Sequence, residues 1–263
     1  MLAAERHRAI LRALHTGGAV RVAELAAELK VSEMTVRRDL DVLDEQHLLR
    51  KVHGGAVSRH NRGEEPWSSE KAGQRRAEKA AIAALAAQTV VDGMTIAVSA
   101  GTTTTEFARR LRHRSSITVV TNSVSVFAVL TDPATGAADA PQVHLSGGVR
   151  TPSDALVGPI ADAAIASFRV DATYLGVHGF DLDAGLTTPN IAEAQTNRTL
   201  IGIGAELVVL ADHTKYREVG TNVFARLQQV DTLIVDDGLA VADRDAIEQH
   251  VGDLMIATVA EGP

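Results

Sequence analysis

Apolar positions in the first sixty residues recur at helical spacing three times. Ile10, Leu11 and Leu14 mark a helix over residues 3–15, and Val22, Leu25, Ala26 and Leu29 mark a second. Val36, Leu40 and Leu43 mark a third, each stripe demanding burial on one side. Ser32 stands where that third helix begins and suits its N-cap, since a hydroxyl there takes a backbone N–H the helix leaves orphaned. Lys30, Val31 and Ser32 alone separate the second and third helices, a helix-turn-helix spacing. Two short runs, 48–53 and 56–58, then flank Gly54 and Gly55, as a tight hairpin with positive φ requires. The pattern predicts a winged helix-turn-helix over residues 1–58.

Residues 59–70 are polar, carry Gly63 and Pro66, show no period and predict a linker. Trp67 within it either packs the linker onto the body or enters a subunit contact. From 71 to 263 the chain alternates. Helical patterns over 71–91, 104–111, 124–130, 160–168 and 191–203 intervene between short β-branched runs at 94–98, 117–120, 143–145, 172–177, 207–211, 233–236 and 255–258. Such alternation predicts an α/β domain, a mostly parallel Rossmann-like sheet with helices on both faces. Residues 131–141 are expected to form a flexible surface loop.

Composition narrows the chemistry. With 45% hydrophobic residues in 263, a sizeable core is available, and the absence of Cys excludes disulfides, thiolate metal sites and a thiol nucleophile. No run of about 18 apolar residues offers a membrane span, and the N-terminus reads as a helix rather than a signal peptide. A cytoplasmic protein is expected. The ten His form no HxxxH or HExxH pair and no nucleophile elbow is visible, so no metal, cofactor or catalytic residue is expected. Net charge is −7, but it is unevenly placed: residues 1–62 hold 11 Lys and Arg against 8 Asp and Glu, leaving 15 against 25 for the remainder, out of totals of 26 and 33. A head of net +3 on a body of net −10 fits a chain whose head alone meets phosphates.

On the third helix, Met34 and Arg38 fall opposite the apolar stripe, with Thr35 and Arg37 on its shoulders. Together with Ser32 they give a helix start suited to a major groove, where Arg reads guanine and Thr meets phosphate or a thymine methyl. Arg50, Lys51 and His53 put donors on the hairpin. A solvated charged face would explain this helix taken alone; the helix before it and the hairpin after it favour double-stranded DNA. A net of +3 is modest, so two heads side by side are expected, in a homo-oligomer that is a dimer or tetramer.

Ligands of open α/β sheets sit at the carboxyl ends of strands. After the 94–98 run come Ser99, Gly101, Thr102, Thr103 and Thr104, opening a helix whose free N–H groups and dipole favour an anion. Later strand ends carry Thr121, Asn122 and Ser123; Gly147 and Gly148; Asp181; and Lys215. Polar turns end strands in every α/β protein, but five such ends together point to a phosphorylated polyol. Lys215 would neutralise the phosphate, and Asp181 and Glu193 would accept from hydroxyls.

The run VSEMTVRRDLDVLDEQHLLRKVHGGA resembles the signature of DeoR-type bacterial transcriptional regulators. SAGTTTTEFARRL, ITVVTNSVSV, LSGG, YLGVHGFDLDAGLTT, IAEAQ and LADHTKY resemble, in order, landmarks of the DeoR sugar-phosphate sensor domain over residues 78–238. The resemblance implies an effector pocket lined by the Gly-Thr-Thr loop, the Thr-Asn-Ser turn, the Gly-Phe-Asp segment, Glu193 and Lys215. It further implies a body similar to ribose-5-phosphate isomerases, with Asp181 and Asp183 matching their carboxylate-bearing segment. Their Lys-Gly-Gly-Gly-Gly loop is unmatched, residues 186–190 reading LTTPN, which argues against isomerase turnover. The expected function is a repressor of a sugar-metabolism operon, released from operator DNA by a phosphorylated sugar. The alternative is an isomerase-like enzyme with a fused DNA-binding head.

Overall fold

The computed structural model of the chain describes residues 2–17, 19–46, 48–52, 54–57, 68, 72–136 and 138–260. Most of the expected linker, with Trp67, lies outside the described residues, as does His53. The chain separates into two compact units, residues 1–64 and 65–263. No helix among the described residues is long and apolar enough to cross a membrane.

The first unit contains α1 (Ala3–Gly17), β1 (Ala19–Arg21), α2 (Val22–Leu29), α3 (Glu33–Glu45), β2 (Arg50–Val52) and β3 (Gly55–Val57). Ser32 caps α3, its hydroxyl accepting the Thr35 N–H at 3.1 Å. Ile10, Leu25, Val36, Leu40, Leu43 and Leu49 close one core. The wing is larger than the expected hairpin: β1 joins it, giving an antiparallel sheet in the order β1-β3-β2. Gly55 permits this, because a Cβ there would stand 2.0 Å from the Val20 carbonyl oxygen of β1.

One charged residue sits inside this core. Asp39, 6% exposed, accepts from Arg6 Nε at 2.7 Å and Nη2 at 3.0 Å, and contacts His7 Nε2 at 3.1 Å. A guanidinium fork on a carboxylate is both strong and directional, and here it joins α1 to α3. Burial pushes the Asp39 carboxyl up, but hydrogen bonds and charge from Arg6 and His7 outweigh it and hold the group below its ordinary value.

The second unit is built on seven parallel strands in the order β15-β14-β12-β9-β4-β5-β6. In chain order these are β4 (Thr95–Val98), β5 (Thr118–Thr121), β6 (Gln142–Leu145), β9 (Val170–Gly176), β12 (Gly204–Ala211), β14 (Thr232–Asp236) and β15 (Asp253–Ala257). The intervening helices are α4 (Arg76–Gln88), α5 (Thr102–Leu111), α6 (Val124–Leu130), α7 (Pro159–Ala166), α8 (Ile191–Ile203) and α9 (Val241–Glu248). Alternate side chains feed separate layers, as the pleat dictates. Ile96, Val98, Val208 and Leu210 pack with Ile82 and Phe107 on one face, while Leu207, Val209 and Ala211 join Phe180 and Phe224 on the other.

The structure adds elements that the periodicity does not announce. β10 (Gly179–Asp181), β11 (Gly185–Thr188) and β13 (Asn222–Ala225) form a separate antiparallel sheet, and β7 (Val149–Arg150) pairs with β8 (Leu156–Val157). Runs of two to four residues are too short to display a period. The 131–141 segment contains a 3₁₀ turn at Pro133–Thr135, capped by Asp132.

The Asp39 pair makes a pH prediction. A depressed folded pKa stabilises fully above the unfolded value and loses that contribution as pH falls through the folded value. Asp39→Asn should therefore lower the melting temperature of the first unit at pH 7. The gap from wild type should narrow below about pH 4, near the ordinary carboxyl pKa. Thermal melts of the two proteins across pH check this; a gap independent of pH would show that Asp39 does not act as an ionised partner.

Candidate nucleic-acid interface and ligand cleft

The outer face of α3 is charged but largely self-neutralised. Met34 is 57% exposed, and Arg37 and Arg38 are exposed. Arg37 Nη2 donates to Glu33 Oε2 at 2.7 Å, one turn back, and Lys51 of the wing pairs with Asp41. Thr35 is half-buried, with its hydroxyl 2.9 Å from that of Ser32, so both serve the cap. Among the described residues Arg38 forms no ion pair. Exposed pairs of this kind are worth about 0–1 kcal/mol, so phosphate can replace Glu33 and Asp41 at little cost. Arg50 belongs to β2, though its side chain lies outside the described residues, as does His53.

In the second unit the strand order reverses between β4 and β9. From β4 the chain moves outward to β5 and β6, then returns to lay β9 on the other side of β4. The two connections leave in opposite directions, and a crevice opens at the carboxyl ends. There the cleft lies, lined by Ala100, Gly101, Thr102 and Thr103 after β4 and by Gly176, Val177 and His178 at and beyond the end of β9. Gly101, at φ 149°, precedes α5, and its carbonyl accepts the hydroxyls of Thr104 and Thr105 at 3.0 and 2.7 Å.

Other strand-end residues belong to the frame around this turn and to turns beyond it. Ser99, 2% exposed, accepts the Gly176 N–H at 3.0 Å and so bolts β4 to β9. Asn122 accepts the Ala100 N–H at 3.2 Å and donates to the Leu156 carbonyl. Thr121 donates to the Val98 carbonyl at 2.6 Å, and Ser123 caps α6 through the Val126 N–H. Thr104 is fully buried. Gly147 and Gly148 have φ of 71° and 116°, and a Cβ on Gly148 would come within 2.7 Å of the Val157 carbonyl oxygen. Asp181 accepts the N–H groups of Asp183 and Ala184, closing the β10–β11 turn. These residues are not among those lining the cleft, and the hydroxyl, amide and carboxylate groups among them bond backbone groups that need partners.

Glu193 and Lys215 do line the cleft. Asn190 caps α8, accepting from the Ala192 and Glu193 N–H groups, and so sets Glu193 in the first turn. The Glu193 carboxylate, 8% exposed, accepts from the hydroxyls of Thr151 and Ser153. Lys215 ends a 3₁₀ turn capped by Asp212. His213 Nδ1 stands 2.6 Å from Asp236 Oδ2, which ties that turn to the end of β14.

Further lining residues were absent from the sequence expectation. Lys79 of α4 is 4% exposed, and its Nζ donates to the Gln74 carbonyl at 2.7 Å. Arg75 adopts φ 53°, a left-handed conformation uncommon for a side-chain-bearing residue, directly before α4. Asn197 lines the cleft too, as do Asp212 and Thr214 of the strand end that carries Lys215. A signal for Lys79 existed: Lys79, Ile82, Ala83 and Ala86 fall at i, i+3, i+4 and i+7, all buried. A lysine on an apolar stripe has a reason to be there.

Residues 74–237 match the DeoR C terminal sensor domain, and residues 6–62 match the DeoR-like helix-turn-helix domain. The chain belongs to the DeoR family of transcriptional regulators. Its relatives in that family include the HTH-type transcriptional regulator GlpR of Haloferax volcanii, 34% identical over 94% of this chain and 95% of that protein. The transcriptional repressor AccR of Agrobacterium fabrum is 32% identical, covering 89% and 90%. The glycerol-3-phosphate regulon repressor of Escherichia coli is 29% identical, covering 94% and 96%. Among solved structures, ribose 5-phosphate isomerase A of Methanocaldococcus jannaschii aligns over 52% of this chain and 53% of its own, with 17% identity and a TM-score of 0.39. Membership in the family makes the first unit a DNA-binding domain and the second a sensor domain.

Arg38 lies exposed and without an ion pair among the described residues of α3, which makes it the residue to test for base reading. Arg38→Ala should weaken binding to a selected operator by about 1–3 kcal/mol and relax base preference. Arg37→Ala, which also frees Glu33, should weaken all sequences alike. Selection from a random duplex library followed by titration of each variant checks this; unchanged affinity for Arg38→Ala would exclude the base-reading role.

Proposed function

We propose that the chain is a repressor of a sugar-metabolism operon, released from its operator when a phosphorylated sugar occupies the cleft at the β4–β9 reversal. The observation that carries this reading is the buried ammonium of Lys79 beside the start of α5. A desolvated cation and a helix N-terminus in one polar cleft favour a dianionic group. In this reading Thr102 and Thr103 receive the phosphate through backbone N–H groups, and Lys79 and Lys215 neutralise it. Glu193 and Asn197, across the cleft, take sugar hydroxyls. The names of the relatives support a small phosphorylated effector, one of them being the repressor of a glycerol-3-phosphate regulon.

Catalysis is disfavoured in the same site. Residues 186–190 read LTTPN, with 186–188 inside the buried strand β11, so the Lys-Gly-Gly-Gly-Gly loop that the isomerase resemblance would call for is unmatched. Operator half-sites of fixed spacing call for two heads, so the working species is a homo-oligomer. Ligand then acts by favouring an arrangement of heads that no longer matches that spacing.

A thermal-shift series on the full chain tests the reading, using glycerol 3-phosphate and phosphorylated trioses, pentoses and hexoses against their free forms. A ligand at 100 times its Kd adds about 2.7 kcal/mol. Phosphorylated compounds alone should stabilise, and no stabilisation by any of them would overturn the reading. Lys79→Met and Lys215→Ala should each weaken the best ligand about 10–100-fold, the worth of a charge-assisted hydrogen bond. Both should bind operator DNA as wild type does in the ligand's absence; loss of DNA binding would point instead to a structural role.

A further inference from the structure

Ser68 falls within the stretch expected to be linker, yet it is fixed to the body at two points. Its N–H donates to the Pro152 carbonyl at 2.9 Å, and its hydroxyl donates to Asp154 Oδ2 at 2.7 Å. Asp154 also accepts from Ser125 Oγ at 2.9 Å, at the start of α6, and from Arg150 Nε at 2.7 Å. This carboxylate joins three residues, with a backbone to match. Asp154 sits at φ 64°, in the left-handed region that side-chain-bearing residues seldom occupy. Burial pushes its carboxyl up, but the bonds from Ser68, Arg150 and Ser125 outweigh it and hold the group below its ordinary value.

The same loop reaches the cleft on its other side. Thr151 and Ser153 donate to Glu193, so one turn links the junction at Asp154 to that carboxylate. The Thr151 N–H donates to the Ala155 carbonyl at 2.8 Å and closes that turn. Gln74, Arg75 and Lys79, which follow Ser68 in the chain, line the cleft as well. A ligand that bonds both Glu193 and Lys79 therefore engages the turn that holds Ser68 and the helix that follows it. Strained or competing hydrogen bonds at such a junction are suited to two discrete arrangements.

We propose that Ser68 and Asp154 form a tether through which occupancy of the cleft is passed to the chain segment leading from the DNA-binding unit. A ligand hydroxyl that donates to Glu193 competes with Thr151 and Ser153, the 150–155 turn shifts, and the grip of Asp154 on Ser68 changes. This inference rests on the cleft being a phosphate-ligand site.

Hydrogen exchange of the full chain, resolved at the amide of position 68 by overlapping peptides, tests it with glycerol 3-phosphate, which carries both a phosphate and hydroxyls, as the probe and the melting temperature as a parallel readout. Without the probe, Ser68→Ala and Asp154→Asn should each speed exchange at position 68 about fivefold, for a bond of roughly 1 kcal/mol. Asn is chosen because it tolerates the left-handed conformation. Glycerol 3-phosphate should raise the melting temperature of all three proteins equally but alter exchange at position 68 only in wild type. Equal exchange in all three without it overturns the tether. An equal effect of the probe on exchange in wild type and Ser68→Ala overturns the coupling while leaving the ligand site standing. No rise in wild-type melting temperature overturns the site, and the coupling with it.

Discussion

After β6 the chain must come back past β5 and β4 to start β9, and the sheet grows the other way from there. Two strands whose connections depart in opposite directions leave their carboxyl ends uncovered, with backbone groups that need partners. The Ser99 hydroxyl supplies one, joining the end of β4 to Gly176 at the end of β9. Asn122 supplies another, fixing Ala100 to the neighbouring strand end and, through Leu156, to the loop that bears Ser153 and Asp154. The cleft exists because these buried bonds spread the turns apart in a fixed geometry. Its lining is what remains facing outward once the frame is satisfied.

The two units use buried charge to different ends. In the first, Asp39 and Arg6 satisfy one another, and the pair sets the register of α1 against α3. A pair of this sort chooses one packing out of several that an apolar core would accept. In the second, Lys79 donates to the Gln74 carbonyl and lines the cleft. The first charge locks two helices of a core together; the second faces a site.

Much of this was legible in the sequence, and the limits have physical causes. The cap at Ser32, the helix-turn-helix and the α/β alternation follow from local chemistry and repeated spacing, which sequence carries directly. Strand β1 and the β10-β11-β13 sheet do not, since three or four residues cannot establish a period and their pairing is set at long range. Strand ends could be located, but not which of their hydroxyls turn inward: Thr121 and Ser123 are as polar as Thr102, yet fully buried. Asp39 and Lys79 share one more lesson. Each occupies an apolar stripe, at i+3 from Val36 and at i−3 from Ile82, and the interruption itself marks them. A charged residue inside a periodic run of apolar ones is better evidence of a special site than a polar residue in a turn.

The self-neutralised face of α3 has a consequence for ionic strength. Salt normally weakens protein–DNA association because cations condensed on the duplex are released on binding. Arg37 and Lys51 would have to leave Glu33 and Asp41 to meet phosphate, and salt loosens those exposed pairs as well. If these two residues grip the duplex, dissolved ions act twice and in opposite senses, screening the duplex while freeing its partners. Affinity would then decline with salt more gently than the number of basic residues on the head suggests, and operator occupancy would be buffered against swings in the ionic content of its surroundings.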